Sequence, residues 1–141
     1  MAETIRSFIA VMSSMEIAEK IDAVLYSLRR FDFVKWVKKE ALHITIKFLG
    51  YVDLDTIEKI KAVISQIPPG SLGFKVKLSS IGAFPNLENP RVFWIDISEG
   101  AEQLAGIFNF IEPRLADLPV KQEDRKFTPH FTLGRIKNNF N

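Results

Sequence analysis

The sequence contains no cysteine and only two histidines, His43 and His130, in 141 residues. The lack of cysteine excludes disulfide bonds and thiolate metal ligands. Two histidines that lie far apart in the sequence are a thin basis for a zinc or iron site. We therefore expect a protein that works without a metal or any other cofactor.

Long apolar runs are also absent, although hydrophobic residues make up 47% of the chain. Runs such as Val92-Phe93-Trp94-Ile95 are far shorter than the ~20 residues that a transmembrane helix needs. The N-terminus has no basic segment followed by an apolar one, which is the pattern of a secretory signal. We therefore expect a globular, cytoplasmic protein with no membrane association, and we expect a monomer.

A large excess of either charge is lacking too, because 19 Lys and Arg residues stand against 17 Asp and Glu residues and the net charge is only +2. Basic residues nevertheless cluster at positions 35–39 and 121–126, where they could attract a polyanion. The signal is weak by itself, since most runs of charge are merely solvated faces of a protein.

The spacing of apolar residues alternates between the periods of strands and helices. It predicts strands at residues 5–12, 33–37, 42–49, 73–81, 91–98 and 127–137. The third of these strands should end at Gly50. Each half of the chain then holds a helix and one strand that carries a histidine, which suggests an internal pseudo-repeat. Such a repeat would place the two histidines across a cleft between two lobes.

Three helices are predicted from the same pattern. The first begins after Ser14, and the second begins at Asp55, where Glu58 three residues later suggests a capping box. The third runs from Ala101 to about residue 115, although Pro113 should break or kink it.

Both histidines stand in the same tetrad pattern, His43-Ile44-Thr45-Ile46 and His130-Phe131-Thr132-Leu133. A single His-x-Thr is most often part of an ordinary amphipathic strand whose polar face meets solvent. Two copies, in a chain with no other histidine, favour a functional reason. Because side chains alternate along a strand, the His and Thr of each tetrad should share one face while the apolar residues anchor the other.

The tetrads suit acid-base chemistry on a phosphate. Imidazole has an unperturbed pKa of ~6.5, so one histidine can accept a proton while another donates one. A Thr hydroxyl can donate a hydrogen bond to an oxyanion without adding charge, although β-propensity alone also explains Thr on a strand. In phosphodiester cleavage, one imidazole would take a proton from the nucleophile and the other would protonate the leaving oxygen.

Two cations near the tetrads are further candidates. Arg135 could give the same phosphate a bidentate positive contact, but strict alternation from His130 would point it to the opposite face. A β-bulge at Gly134 would bring Arg135 back to the face of the histidine. Lys47 has the same parity as His43 and either lines the cleft or is a solvated lysine.

Four aromatic residues lie on or near the same elements, namely Trp36, Phe48, Phe84 and Trp94. An aromatic ring can stack on a nucleobase, with a gain of ~1 to 3 kcal/mol per base. The chain contains 12 phenylalanines, so packing in the core is the default interpretation for any one of these rings.

The pair of tetrads resembles the two-histidine (2H) phosphoesterase superfamily, and the surrounding residues resemble its RNA 2',3'-cyclic phosphodiesterase branch, also called 2'-5' RNA ligase-like. The matching strings are Ile5-Arg6-Ser7-Phe8-Ile9-Ala10, Leu42-His43-Ile44-Thr45-Ile46-Lys47-Phe48-Leu49-Gly50, Phe84-Pro85, Pro90-Arg91-Val92-Phe93-Trp94 and Phe127-Thr128-Pro129-His130-Phe131-Thr132-Leu133-Gly134-Arg135. They cover nearly the whole chain in the family's order.

The resemblance implies an α+β fold, bilobal and pseudo-symmetric, in which two antiparallel sheets line a cleft and helices lie outside. Residues 1–141 would form this single two-lobed domain. The implied reaction is hydrolysis of a 2',3'-cyclic phosphate at an RNA end to a 2'-phosphate, with reversible 2'-5' RNA ligation in some members. The implied partners are RNA ends or nucleotides that bear such a phosphate.

The resemblance also implies roles for single residues. By matching motif positions, His43 would be the proton donor to the departing 3' oxygen, and His130 would be the acceptor that activates water. Thr45, Thr132 and Arg135 would hold the phosphate.

One departure from the family concerns the end of the sequence. Family members usually continue well beyond the second motif with a segment that adds a final strand, whereas this sequence ends at Asn141. Two readings are open, a compact variant or a chain from which a C-terminal piece is absent.

Two other functions stay open beside the RNA phosphodiesterase. One is a non-catalytic nucleotide- or RNA-binding module, although a pure binder has no evident need for two titrating groups. The other is a phosphodiesterase that acts on a small cyclic phosphate such as an ADP-ribose derivative. An RNA enzyme should bind oligonucleotides better than mononucleotides and lose that advantage as salt is added.

Overall fold

The computed structural model describes residues 3–137, which form six strands, three α-helices and two short 3₁₀ turns. In chain order the elements are β1 (Thr4–Met12), α1 (Met15–Leu28), β2 (Val34–Trp36), the turn Lys39–Ala41, β3 (His43–Asp53), α2 (Leu54–Ile64), the turn Pro69–Ser71, β4 (Lys77–Phe84), β5 (Val92–Glu99), α3 (Ala101–Arg114) and β6 (His130–Ile136). The predicted α+β class and the order of its elements are confirmed. No helix in this range combines the length and the apolar character needed to cross a bilayer.

The strands follow the order β1-β3-β6-β5-β4, and β2 also pairs with β6. The pairs β2-β6, β3-β6 and β5-β6 are antiparallel. Hydrogen bonding therefore joins the described strands in one sheet, where two separate sheets were expected. The reason is that the two motif strands themselves pair, at Ile44 of β3 and Phe131 of β6.

The boundary between β3 and α2 differs from the sequence prediction. β3 does not end at Gly50 but continues to Asp53. Gly50 adopts a φ of 75°, which glycine accommodates without strain, so the strand passes through this position. The cap of α2 is Asp53, not Asp55, and its carboxylate accepts a 2.7 Å hydrogen bond from the backbone N–H of Thr56. Hydrogen bonds from Thr56 hold the pKa of Asp53 below its ordinary value.

The other two helices agree more closely with the sequence. Ser14 caps α1 by accepting a 3.2 Å hydrogen bond from the N–H of Ile17, as the predicted start requires. Pro113 lies in the last turn of α3, which ends at Arg114. The proline therefore sits where the helix stops and does not interrupt its body.

The chain divides into two compact units, each built from three segments. The first unit contains residues 3–10, 45–77 and 98–129, and the second contains residues 11–44, 78–97 and 130–137. The units therefore do not correspond to the two halves of the sequence. His43 and His130 both belong to the second unit.

Each unit has buried apolar side chains of its own. In the first, α2 packs against α3, and the fully buried residues include Leu104 and Ile111 of α3. In the second, Ile21 and Leu25 of α1 are completely buried, and so is Leu133 of β6. The second unit thus holds the motif strand β6 on a closely packed support.

Candidate active site

The two tetrads lie on neighbouring strands of the sheet. Ile44 of β3 pairs with Phe131 of β6, and their side chains are only 2% and 1% exposed. Paired residues on adjacent strands point to the same face, so both side chains face the core. Their neighbours along the strands, His43 and His130, therefore point to the opposite face. Both histidines are half-buried.

The threonines follow the same alternation. Thr45 on β3 and Thr132 on β6 are half-buried, whereas Ile46 and Leu133 beside them are buried. The expected division of each tetrad into an anchoring face and a polar face is confirmed. Because Ile44 and Phe131 set an antiparallel register, His43 lies level with Thr132.

His43 has a fixed ring orientation. Its Nδ1 lies 2.7 Å from the backbone carbonyl oxygen of Ala41, the last residue of the 3₁₀ turn before β3. A carbonyl oxygen can only accept a hydrogen bond, so Nδ1 carries a proton and donates it. In the neutral ring the lone pair is then on Nε2, which is the nitrogen that can exchange a proton with a substrate.

β6 contains the bulge that Arg135 requires. On β5, Val92 and Phe93 pair with Arg135 and Gly134, whereas Trp94, Ile95 and Asp96 pair with Thr132, Phe131 and His130. The register shifts by one residue between Phe93 and Trp94, so Leu133 is an extra residue on β6. Leu133 and Gly134 are both buried, and the alternation resumes one residue later.

The bulge places Arg135 on the face of His130 and Thr132. Gly134 allows it, because a Cβ there would lie 2.7 Å from the side chain of Val34 and 2.8 Å from that of Trp36. Arg135 is exposed, and its guanidinium forms no ion pair within residues 3–137. It is thus available to an anion at this face.

Trp94 and Asp96 of β5 adjoin His130 on the same face. The rings of Trp94 and His130 have centroids 5.4 Å apart at an interplanar angle of 47°. The indole lies over Gly82, where a Cβ would be 2.7 Å from Nε1. Its ring also neighbours that of Phe84, with centroids 6.4 Å apart. Asp96 pairs directly with His130 across the strands. Asp96 could not be identified from the amino-acid pattern, because its position depends on the register of β5 against β6.

Lys47 does not belong to this polar face, nor is it solvated. Its side chain is only 1% exposed, and its ammonium lies 3.0 Å from Oε1 and 2.9 Å from Oε2 of Glu112. It also donates a 2.5 Å hydrogen bond to the carbonyl of Lys121, while Oε1 of Glu112 accepts from the backbone N–H of Glu123. Both interpretations made from the sequence are therefore wrong. The pattern around Lys47 could not indicate its partner, because Glu112 lies 65 residues away in the sequence.

A sequence profile of the family described as LigT like Phosphoesterase matches residues 11–94. The chain belongs to the LigT-like phosphoesterase family. The predicted family is thereby confirmed. Within residues 3–137, no three histidine, aspartate or glutamate side chains form a group that could hold a metal ion.

Relatives of this LigT-like phosphoesterase carry a functional name. The chain is 36% identical over 132 residues to the RNA 2',3'-cyclic phosphodiesterase of Archaeoglobus fulgidus, covering 94% of this chain and 73% of that protein. It is 39% identical to the RNA 2',3'-cyclic phosphodiesterase of Methanocaldococcus jannaschii, covering 94% of this chain and 72% of that protein. The crystal structure of E. coli LigT complexed with 3'-AMP matches with a TM-score of 0.77 at 27% identity, covering 94% of this chain and 74% of that one.

Proposed function

We propose that this protein hydrolyses 2',3'-cyclic phosphates at RNA ends and leaves a 2'-phosphate. The observation that carries the proposal is that His43 and His130 point to one face of paired strands, together with Thr132 and Arg135. Membership of the LigT-like family and the shared name of its relatives support the same reaction. The arrangement supplies an acid, a base and donors for the phosphate oxygens.

His130 acts as the general base and His43 as the general acid. The neutral imidazole of His130 accepts a proton from water on its unprotonated ring nitrogen, and the oxygen of that water attacks the phosphorus. The bond between phosphorus and O3' breaks, and the imidazolium of His43 gives its Nε2 proton to O3'. One water is consumed, and the products are a 2'-phosphate and a 3'-hydroxyl.

The hydrogen bond from His43 to Ala41 orients Nε2 of His43 for proton transfer. When the imidazolium loses its Nε2 proton, the remaining proton is on Nδ1, where the carbonyl of Ala41 already accepts it at 2.7 Å. The ring therefore changes charge without changing its orientation. A fixed donor of this kind does not have to reorganise during the reaction.

Thr45, Thr132 and Arg135 hold the phosphate during this step. The Thr hydroxyls donate hydrogen bonds to the non-bridging oxygens, on which negative charge builds up in the transition state. The guanidinium of Arg135 adds a permanent positive charge and can contact two oxygens at once. The same two proton transfers, with an RNA 5'-hydroxyl in place of water, would join two strands by a 2'-5' linkage.

The test is to incubate the protein with EDTA and a short RNA that ends in a 2',3'-cyclic phosphate, and to identify the position of the phosphate in the product. We expect a 2'-phosphate, and we expect His43→Ala and His130→Ala each to lower the rate by about 10² to 10⁴, the usual scale for acid-base catalysis. Lys75→Ala, a change of an exposed side chain in the first unit, is the control and should keep the wild-type rate.

Other outcomes would identify other functions. Binding of the RNA without turnover would favour a nucleotide- or RNA-binding module. Turnover of a small cyclic phosphate, but not of the RNA, would favour a small-molecule phosphodiesterase. Near-normal turnover in either histidine variant would rule out the paired mechanism.

A further inference from the structure

The face of the sheet that carries the histidines also carries two aromatic rings, those of Trp94 on β5 and Phe84 at the end of β4. Their ring centroids are 6.4 Å apart, and we call the pair the aromatic platform. Trp36 lies on the opposite face, because it stacks on Phe93, which alternates with Trp94 along β5. Phe48 belongs to the first unit. Of the four aromatic residues considered in the sequence, Trp94 and Phe84 are thus the two beside the histidines.

The aromatic platform is built into the sheet and is still accessible. Gly82, two residues before Phe84 on β4, lies under the indole of Trp94, since an added Cβ would be 2.7 Å from Nε1 and 3.2 Å from Cε2. The missing side chain lets the indole lie over β4, where Trp94 is half-buried. Phe84 is 54% exposed. The two rings therefore offer an apolar surface on which a nucleobase can stack.

The strand order places the aromatic platform on one side of the two histidines. The strands β3, β6, β5 and β4 are neighbours in that order, so His43, His130, Trp94 and Phe84 lie on successive strands. The indole of Trp94 contacts His130, with ring centroids 5.4 Å apart. The platform therefore adjoins His130 on the side away from His43.

In the proposed reaction, this side is where the attacking group enters. His43 protonates the departing O3', and His130 takes the proton of the nucleophile. The attacking and leaving oxygens are roughly in line across the phosphorus, so the ribose that carries O3' extends on the side of His43. A nucleoside on the side of His130 is then the one that supplies the attacking oxygen.

Asp96 favours an attacking group without charge. It pairs with His130 across the strands, and its side chain is half-buried on the same face. A carboxylate repels a phosphate, whereas it accepts a hydrogen bond from a hydroxyl group. An RNA end with a free 5'-hydroxyl therefore suits this position better than a 5'-phosphorylated end.

We propose that the aromatic platform binds the nucleobase of a second RNA strand, whose 5'-hydroxyl takes the place of water beside His130. The proposal rests on the function proposed above and names a second substrate. The 5'-oxygen forms a bond with phosphorus while the bond between phosphorus and O3' breaks. The 5'-hydroxyl proton goes to His130, and the proton of His43 goes to O3'. The reverse step cleaves the 2'-5' linkage and returns a 2',3'-cyclic phosphate and a 5'-hydroxyl.

The experiment measures the reverse step, because one diester then contains both nucleosides. It compares kcat/KM for cleavage of a short oligoadenylate whose last linkage is 2'-5' with kcat/KM for an analogue whose last ribose has no nucleobase. The leaving 5'-oxygen is the same in both, so their ratio, the nucleobase advantage, reports the contacts of the last nucleobase. We expect Trp94→Leu to lower it by about five- to 100-fold, the range for one nucleobase stacked on an aromatic ring. Phe84→Leu should lower it by about fivefold, the lower end of that range.

Two controls remove an aromatic ring elsewhere in the second unit. Trp36→Leu deletes the indole of the opposite face, and Tyr26→Leu deletes a ring on α1 at a position that is 79% exposed. Both variants should keep the wild-type nucleobase advantage. Loss of the contact between Trp94 and His130 slows cleavage of both diesters equally, so it does not change the ratio.

A second pair of substrates distinguishes the two nucleosides of the reaction. It consists of a short oligoadenylate that ends in a 2',3'-cyclic phosphate and its analogue without the terminal nucleobase, both of which react with water. The ratio of their kcat/KM values should be the same in the wild type, Trp94→Leu and Phe84→Leu proteins. A fall in this ratio in the two variants would show that the platform holds the nucleobase of the cyclic phosphate, and it would overturn the proposal.

Each remaining outcome has a definite meaning. If the wild type hydrolyses the cyclic phosphate but does not cleave the 2'-5' linkage, or cleaves both diesters with equal kcat/KM, this proposal is wrong while the proposed function stands. It is equally wrong if Trp94→Leu and Phe84→Leu keep the nucleobase advantage. If only the diesters react, the proposed function fails and the nucleobase advantage still decides for or against the platform. If no substrate reacts, both proposals fail.

Discussion

Trp94 lies against His130, with ring centroids 5.4 Å apart. The indole packs directly on the backbone of Gly82, where there is no room for a Cβ atom. The chain contains only one other tryptophan, Trp36. Since Trp36 lies on β2 and stacks on Phe93, the two indoles have different surroundings. Trp94 is therefore a natural optical reporter for the side chain of His130.

In a Trp36→Phe variant, the emission of Trp94 should change when His130→Asn is added, because the imidazole that contacts the indole is then lost. The change should be smaller when His43→Asn is added instead, because His43 lies on β3 and β6 separates that strand from β5. Steady-state fluorescence of the three proteins at one pH measures both effects. An unchanged spectrum in the His130→Asn protein would show that the two rings are not in contact.

Gly134 should be intolerant of any side chain. A Cβ at this position would come within 2.8 Å of Val34 and Trp36 and 3.1 Å from the carbonyl of Lys35, so the bulge of β6 could not keep its contact with β2. We expect Gly134→Ala to lower the free energy of unfolding by about 1 to 3 kcal/mol, as overpacking does, and to reduce turnover by moving Arg135. Urea denaturation and kcat measure the two effects.

Gly106 is the matched control for Gly134. It lies within α3, and nothing is within 4 Å of a Cβ added there. Gly106→Ala should raise the free energy of unfolding by about 0.5 to 1 kcal/mol, because alanine restricts the unfolded chain and favours the helix. Equal stability of the Gly134→Ala and wild-type proteins would mean that the contact with β2 can be lost without cost.

The faces of the two tetrads could be predicted from the sequence, because alternation along a strand is a local property. Ile44 and Phe131 are buried, and the histidines beside them point the other way. The pairing of Asp96 with His130 could not be predicted in this way. It depends on the register between strands that are distant in the sequence, and a shift of one residue would reverse every side chain.

Lys47 shows the same limit in a different form. Its parity along β3 matches that of His43, yet it is buried against Glu112 and the carbonyl of Lys121. No local pattern on β3 indicates an ion pair with a residue of α3, which is distant in the sequence. The cap of α2 at Asp53 was missed for a local reason, because Asp55 and Glu58 imitate a capping box two residues later.

The pair of Lys47 and Glu112 should contribute strongly to stability only as a pair. Lys47→Met leaves the carboxylate without its cation and should lower the free energy of unfolding by about 3 kcal/mol, at the lower end for buried pairs because Glu112 is 20% exposed. The double variant Lys47→Met/Glu112→Leu should recover part of that loss. Denaturation in urea measures all three proteins.

The exposed pair of Lys59 and Asp55 on α2 serves as the comparison, because both side chains are more than half exposed. Lys59→Met should change the free energy of unfolding by less than about 0.5 kcal/mol. If Lys47→Met were equally mild, the buried pair would have no structural importance, and Lys121 and Glu123 would be held by other contacts.

The assignment of His43 as acid and His130 as base can be tested with a changed leaving group. Replacing O3' of the cyclic phosphate by sulfur makes the leaving group a thiolate, which departs without a proton because thiols ionise near pH 8.5. The acid is then dispensable, whereas the base that activates water is still needed. With this substrate, His43→Ala should lose less than about tenfold in kcat, while His130→Ala should keep its full loss of about 10² to 10⁴. The reverse pattern would exchange the two roles. The hydrogen bond from His43 to Ala41 is compatible with that exchange, since it leaves the lone pair of the neutral ring on Nε2, where a base needs it.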